Sequence, residues 1–335
     1  MQILAGDVGG TKTDLLLARV DPESAAPVEL RSARLASADH RDLAAAIDAF
    51  FAGDRPHLDA AAFGIAGPIV DGVCRTTNLP WVIDGDVLAA ALALPRPALR
   101  LLNDFHALAL GVDGLAPSQL VLLQDGPVDP QGPRAIIGAG TGLGEAILVP
   151  TAAGPRVLAT EGGHADFAPR DAIEDRLLAR LRARHDHVSY ERLVSGIGIA
   201  TIYELLVAEG IVAASPAVAA RCGAEDPAAV IGELALAGDD PACVATIDRF
   251  LRIYGAEAGN LALKVLPSGG LYVAGGIAPR LLPLLREGPF LEALLAKGRM
   301  RPLLERLRVA VVTEPRVGLL GAARAAAELL RAPAG

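Results

Sequence analysis

The chain has 335 residues, 52% hydrophobic and 21% charged, with a formal net charge of −8. That much apolar material supports a sizeable core and suggests two domains, and the acidic balance excludes nucleic acid as a principal partner. No apolar run reaches the ~18 residues of a membrane span, no signal peptide or membrane partner is expected, and Cys74, Cys222 and Cys243 read as reduced thiols of a cytoplasmic protein without a C-x-x-C zinc pair.

An apolar run at the start enters Gly6-Asp7-Val8-Gly9-Gly10-Thr11-Lys12-Thr13 and leaves through Asp14–Val20. The loop nearly spells G-x-x-x-x-G-K-[ST], but Thr11 stands where the second glycine belongs. The run that follows is short and stops at Asp21-Pro22, which suits a strand and not a long helix. A strand-turn-strand hairpin results, whose amides can form an anion-binding nest; a plain glycine turn would look the same.

A helix is expected near Asp39–Phe51 and a strand at Ala60–Ala66. Extended segments follow at Val70–Thr77 and Trp81–Ile83, then a helix from Asp84 to about Leu94. A buried strand at Leu99–Leu102 runs into Asn103-Asp104 and a helix to about Leu110. Ligands of α/β sheets collect at such strand ends, and an ordinary N-cap has the same composition.

After a strand at Gln119–Leu123, the hairpin pattern recurs at Ala135-Ile136-Ile137-Gly138-Ala139-Gly140-Thr141-Gly142-Leu143-Gly144. In Glu161-Gly162-Gly163-His164 a carboxylate and an imidazole flank glycines that let a ligand approach the backbone. Those groups suit sugar hydroxyls, and E-x-x-H alone is weak as a metal site; a polar loop is the plain alternative. Glu191 reads as a first-turn carboxylate. Helices are expected at Arg170–Ala183, Ile197–Glu209, Pro216–Arg221, Pro227–Ala237 and Cys243–Val265. A strand at Gly270–Ala274 ends in Gly275-Gly276, which could admit a base or serve tight packing, before a helix with Pro279 in its first turn. A strand at Val309–Thr313 and a helix at Val317–Leu330 close the chain, with Gly318 and Gly321 on one helix face. Two hairpin units, each followed by strands and helices, imply a duplicated α/β architecture.

These residues resemble the bacterial ATP-dependent glucokinases of the hexokinase-like, actin/Hsp70-type ATPase superfamily, outside the ROK branch. The resemblance runs nearly end to end. It rests on the Gly6–Thr13 loop, Thr77-Asn78-Leu79-Pro80-Trp81, Leu102-Asn103-Asp104-Phe105, the Gly138–Gly144 loop, Glu161–His164, Ser189–Arg192 and Ala274-Gly275-Gly276-Ile277. Nothing after His164 matches the Cys-rich zinc motif of ROK proteins. Gly67 departs from the pattern, where some relatives are expected to carry cysteine.

The resemblance implies a two-domain actin-like (ribonuclease H-like) fold with a cleft between domains. The small domain would be 1–110 plus 315–335, the large domain 111–314. It implies ATP-dependent phosphorylation of glucose at the 6-hydroxyl by a homodimer. Asp104 would be the general base, and Asn78, Asn103, Asp104, Glu161, His164 and Glu191 would bind sugar. Gly6, Asp7, Val8, Gly9, Gly10, Thr11, Lys12, Thr13, Gly138, Gly140, Thr141, Gly142, Gly275 and Gly276 would hold the nucleotide. Asp7 would act on Mg²⁺ through water. The alternatives are a kinase for another hexose, a non-catalytic sugar sensor on the same fold, and an actin-like ATPase module, which leaves the Glu161/His164 element unexplained.

Overall fold

The computed structural model describes residues 1–21, 27–76, 79–152 and 154–331; Thr77 and Asn78, the latter expected to bind sugar, lie outside the described residues. The chain divides into two compact units, Met1–Ala116 with Glu314–Gly335, and Pro117–Thr313. Among the described residues no helix is long and apolar enough to cross a membrane.

The first unit opens as a meander. β1 (Gln2–Val8) pairs antiparallel with β2 (Lys12–Val20), and β2 with β3 (Pro27–Ala36). Ile3, Leu4, Ala5 and Leu15 are fully buried, as strands covered on both faces require. β3 was not foreseen: it is exposed along most of its length, and Glu29, Arg31 and Arg34 give it the charged character of an edge strand. Ser37–Asp39 form only a 3₁₀ turn, and α1 (Leu43–Phe51) starts later than expected, capped by the Asp42 side chain on the Ala45 N–H.

β4 (Ala60–Ile65) lies parallel to β1 on the side away from β2. A small sheet of β5 (Ile69–Val70), β6 (Val73–Arg75) and β7 (Val82–Asp84) follows, then α2 (Gly85–Ala91). β8 (Leu99–Asn103) runs parallel to β4 and leads directly into α3 (Asp104–Val112). The sheet order is β3-β2-β1-β4-β8.

The second unit contributes β9 (Leu120–Gln124) and then a second meander of β10 (Arg134–Ala139), β11 (Leu143–Val149) and β12 (Arg156–Thr160). Helices α4 (Ala172–Arg182), α5 (Gly196–Ala208), α6 (Pro216–Cys222), α7 (Pro227–Ala237) and α8 (Pro241–Val265) fall within two residues of expectation. The face of α8 bearing Phe250, Tyr254 and Ala258 packs into the same core as Ile137 and Val273.

β13 (Leu271–Ala274) returns parallel to β10. The helix expected to carry Pro279 in its first turn does not form there. Residues 275–281 are turns, and α9 (Leu282–Arg286) begins with Pro283 in its first turn instead, where a missing N–H costs nothing. After α10 (Pro289–Leu295) and α11 (Arg301–Leu304), β14 (Val309–Val312) pairs parallel with β13, and β9 closes the edge antiparallel to β14. The order β12-β11-β10-β13-β14-β9 repeats that of the first unit, with β9 added.

The chain then rejoins the first unit as α12 (Val317–Leu329). Gly321 lies against α3 so closely that an added Cβ would be 1.7 Å from the Ala107 carbonyl oxygen, and one on Gly111 would be 2.0 Å from that of Val317. The neighbour in each case is backbone, which cannot rotate aside. Gly321→Ala is therefore expected to cost roughly 3 kcal/mol, read as a lower urea midpoint. Gly276→Ala, with nothing within 4 Å of the added carbon, should shift stability by no more than about 0.5 kcal/mol.

Candidate active site

In the first unit β1, β4 and β8 are parallel, so their carboxyl ends share one edge of the sheet. Asp7–Gly10, Ile65–Gly67 and Asn103-Asp104 meet there. The hairpin tip is closed by Gly9 N–H donating to the Lys12 carbonyl at 3.0 Å. Ser37, which no local pattern marks, braces it from below. Its N–H donates to the Thr11 carbonyl at 3.1 Å, and its hydroxyl donates to the Gly9 carbonyl at 2.9 Å. Gly10 is partly covered, and Thr11 and Lys12 are exposed.

Gly6, Val8 and Thr13, expected at the nucleotide, are buried. Thr13 shares a hydrogen bond with the Ser37 hydroxyl at 3.0 Å. Gly6 packs under Phe63, whose Cδ1 would be 2.5 Å from an added Cβ. These residues are packed within the hairpin.

A row of charge crosses the sheet in register: Arg34 opposite Asp14, and Asp14 opposite Asp7. Arg34 grips Asp14 with two hydrogen bonds, at 2.7 and 2.9 Å. Asp7 has no such grip. Burial first, then the charges of Asp104 and Asp14, push its acid up to about 6, against the pull of Lys12 and Arg34. Gly318 of α12 leaves this carboxylate its space, since an added Cβ would be 2.9 Å from Asp7 Oδ2.

Asn103 is the N-cap of α3. Its Oδ1 accepts from the N–H groups of Phe105 at 2.9 Å and His106 at 3.4 Å, while Nδ2 donates to the Gly67 carbonyl at 3.3 Å. Asp104 is the first residue of the helix, and its Oδ1 accepts from the Phe105 N–H at 2.9 Å.

In the second unit Gly140 N–H donates to the Gly142 carbonyl at 2.8 Å, and the Gly196 N–H donates to the Gly140 carbonyl at 2.9 Å. Gly138 is buried within β10, paired with Gly144 and Ala274. The Tyr254 hydroxyl, unmarked by any motif, braces this strand by accepting from Ala139 N–H at 3.2 Å and donating to the Ile137 carbonyl at 3.3 Å. The Gly275-Gly276 pair divides. Gly275, at φ +79°, lies where a Cβ would be 2.3 Å from the Ala139 carbonyl oxygen, so packing explains it; Gly276 has open space beside it.

Glu161, His164 and Glu191 converge. His164 Nε2 lies 3.9 Å from Glu161 Oε2, and His164 Nδ1 lies 3.9 Å from Glu191 Oε1. These separations are too long for direct hydrogen bonds, so much of the capacity of the three groups is left for a ligand. Glu191 sits in the 3₁₀ turn Tyr190–Arg192 but does not stay with it: its Oε2 accepts from the Leu143 N–H at 3.0 Å, joining the turn to the second glycine loop. Ser195 holds the same turn, donating to the Glu191 carbonyl at 2.8 Å. A cavity of ≈ 490 Å³ opens beside His164 and Glu191, lined also by Arg184, His185, His187 and Arg192.

The glucokinase family model matches residues 4–329. A curated glucokinase of Nostoc punctiforme is 45% identical, covering 98% of this chain and 99% of its own length. The crystal structure of a glucokinase from an Antarctic psychrotroph matches with a TM-score of 0.82 at 34% identity, covering 97% of this chain and 98% of that one. A ROK-family glucokinase from Streptomyces griseus shares the fold, with a TM-score of 0.66 at 23% identity over 96% of this chain and 98% of that one. The fold is that of the sugar kinases built on the actin-like ATPase plan. Within that class, the chain belongs to the glucokinase family.

The raised acid of Asp7 makes a pH test. Because folding lifts it from 3.8 to about 6, ionising Asp7 costs stability as pH rises through that window. Asp7→Asn should match wild type near pH 4 and exceed it by roughly 2 kcal/mol at pH 7, measured by chemical denaturation of the ligand-free protein at both pH values.

Proposed function

We propose that the chain transfers the γ-phosphoryl group of ATP to the 6-hydroxyl of D-glucose, giving glucose 6-phosphate and ADP, the first step of glycolysis. The observation that carries this reading is the 45% identity to a curated glucokinase over nearly the full length of both chains. The first unit serves as the small domain and the second as the large domain of the family plan. The protein works as a cytoplasmic homodimer.

Phosphoryl transfer asks for positioning and charge neutralisation more than covalent chemistry. Asp104, at the start of α3, takes the proton of the 6-hydroxyl as that oxygen attacks in line. Asn103, Glu161, His164 and Glu191 bind the remaining hydroxyls, with Asn78. Backbone amides of Gly9–Lys12 and Gly140–Gly142 hold phosphates, and Gly276 leaves room for the adenine.

The residues present fit Mg²⁺. Asp7 is a desolvated carboxylate beside two further acids, and a divalent cation would offset that repulsion. Among the described residues no three His, Cys, Asp or Glu side chains group to hold a metal. The ion would therefore be held by Asp7 through water and by phosphate oxygens, as Mg²⁺ commonly is. When bound, it neutralises charge on the phosphates.

An ADP-release assay across glucose, mannose, fructose and N-acetylglucosamine tests the reading, with glucose expected to give the highest kcat/KM. Transfer to none of them would favour a sugar sensor. Asp104→Asn should fold and bind glucose yet lose about 10²–10⁴ in kcat; near-wild-type turnover would remove Asp104 as the base. Glu161→Ala and His164→Ala should mainly raise KM for glucose, since the hydroxyls they hold are not the reacting one.

A further inference from the structure

Beneath the two turns that carry the sugar-binding groups lies a buried pair of acids. Glu145 on β11 is 2% exposed and Glu257 on α8 is fully buried. The charge of Glu257 acts on the Glu145 acid, and each residue keeps a buried oxygen, Oε1, with no hydrogen-bond partner. Two carboxylates cannot donate to one another, whereas one proton between them makes a donor and an acceptor. Lys264 does not neutralise the pair closely: its Nζ stays 3.9 Å from Glu257 Oε1 and is mostly exposed.

The pair touches both turns. Glu145 Oε2 occupies the place of a Gly162 Cβ, which would be 2.0 Å from it. Thr160, the register partner of Glu145, donates to the Glu145 carbonyl at 3.1 Å and accepts from the Gly162 N–H at 3.2 Å. On the other side Glu257 is linked through Asn260 to the hydroxyl of Tyr190, the residue before Glu191. Asn260 Nδ2 donates to Glu257 Oε2 at 2.8 Å and to the Tyr190 hydroxyl at 3.1 Å. Lys297 Nζ in turn donates to Asn260 Oδ1 and to the Ala256 carbonyl. The turns are also joined by backbone, Tyr190 N–H to the Ala165 carbonyl at 3.0 Å and the Asp166–Ser189 bridge.

We propose that Glu145 and Glu257 share one proton, and that this contact positions the Gly162–His164 and Tyr190–Arg192 turns so that His164 and Glu191 meet the sugar. They are positioning residues, since neither is placed at the reacting atoms. The identity of the sugar as glucose rests on the function proposed above; the shared proton does not. A buried acid pair is a costly way to fill a core, and its location under the two turns gives it a use.

The pair predicts a pH dependence. The titratable and charged groups facing it are Lys264, Lys297, Tyr190 and Tyr254, with Glu161, His164 and Glu191 on the turns above. Burial first, then Glu257, pushes the Glu145 acid up to about 8, with Lys264 opposing. Burial pushes Glu257 up as well, and Tyr190 up to about 12. Losing the shared proton sets two like charges against the Gly162 backbone. If the sugar-bound form requires that proton, only about one molecule in ten is competent at pH 9, and the apparent Kd rises roughly tenfold.

Calorimetric titration of the full chain with glucose from pH 6.5 to 9.5 should show that rise in wild type. Glu145→Gln, whose amide donates to Glu257 at every pH, should bind glucose with the alkaline rise removed. Glu145→Leu should raise KM for glucose roughly tenfold at pH 7 with little change in kcat, a split that general loss of folded protein would not give. Infrared difference spectra should show a protonated carboxyl band at pH 7 that titrates away in wild type and is missing from Glu145→Gln. A flat wild-type Kd through pH 9, a parallel rise in Glu145→Gln, or no such band would each overturn the proposal. Wild type that binds no glucose at any pH, while keeping the band, would overturn the assignment to glucose and the positioning role, but not the shared proton.

Discussion

Both sheets are governed by one constraint on their founding strand. β1 and β10 each pair antiparallel with the next strand through a tight turn, and each must take a parallel neighbour on the other side. The turn that ends the founding strand therefore falls on the edge where the parallel strands also end. Glycine loops, strand termini and the helix that starts at Asp104 are gathered there by hydrogen-bond pairing alone. The interior of these strands is covered on both faces, so polar groups can be offered to a ligand only along that edge. The second unit has a longer run of helices between its strands, and the same logic holds.

The same covered environment sorts the acids by what can reach them. Asp14 is neutralised within the sheet by the paired guanidinium of Arg34. Asp7, one strand over, stands at the edge and is left with a net excess of negative neighbours. That is unfavourable for folding. Glu145 and Glu257 are buried more deeply, where a proton is the smallest counter-charge. Three carboxylate arrangements in one chain thus show three ways of meeting the cost of burial.

Much of the fold was legible because the hydrophobic runs of the buried strands are long and unbroken, and because helices such as α7 carry Pro at the start and Gly at the end. β3 was hidden by its exposure. A strand with one edge in solvent needs neither apolar alternation nor small residues. The site was legible where glycines and carboxylates cluster in sequence, as at Glu161–His164. It was not legible where support comes from afar: Ser37 beneath the first loop, Tyr254 against β10, and the Glu191 carboxylate turned onto the Leu143 amide. Local pattern carries no record of such long-range hydrogen bonds. The same limit hides the packing at Gly6, Gly138 and Gly275, where strand pairing or a close neighbour leaves room for glycine.

The return of α12 to the first unit has a consequence for how the chain matures. The second unit is one continuous stretch, whereas the first cannot close until residues near the C-terminus exist to cover α3, as Gly321 does against Ala107 and Arg324 does against Asp113 at 2.9 Å. During synthesis the part made first is therefore the part completed last. The first unit is thus the discontinuous one, closed by a helix distant in sequence.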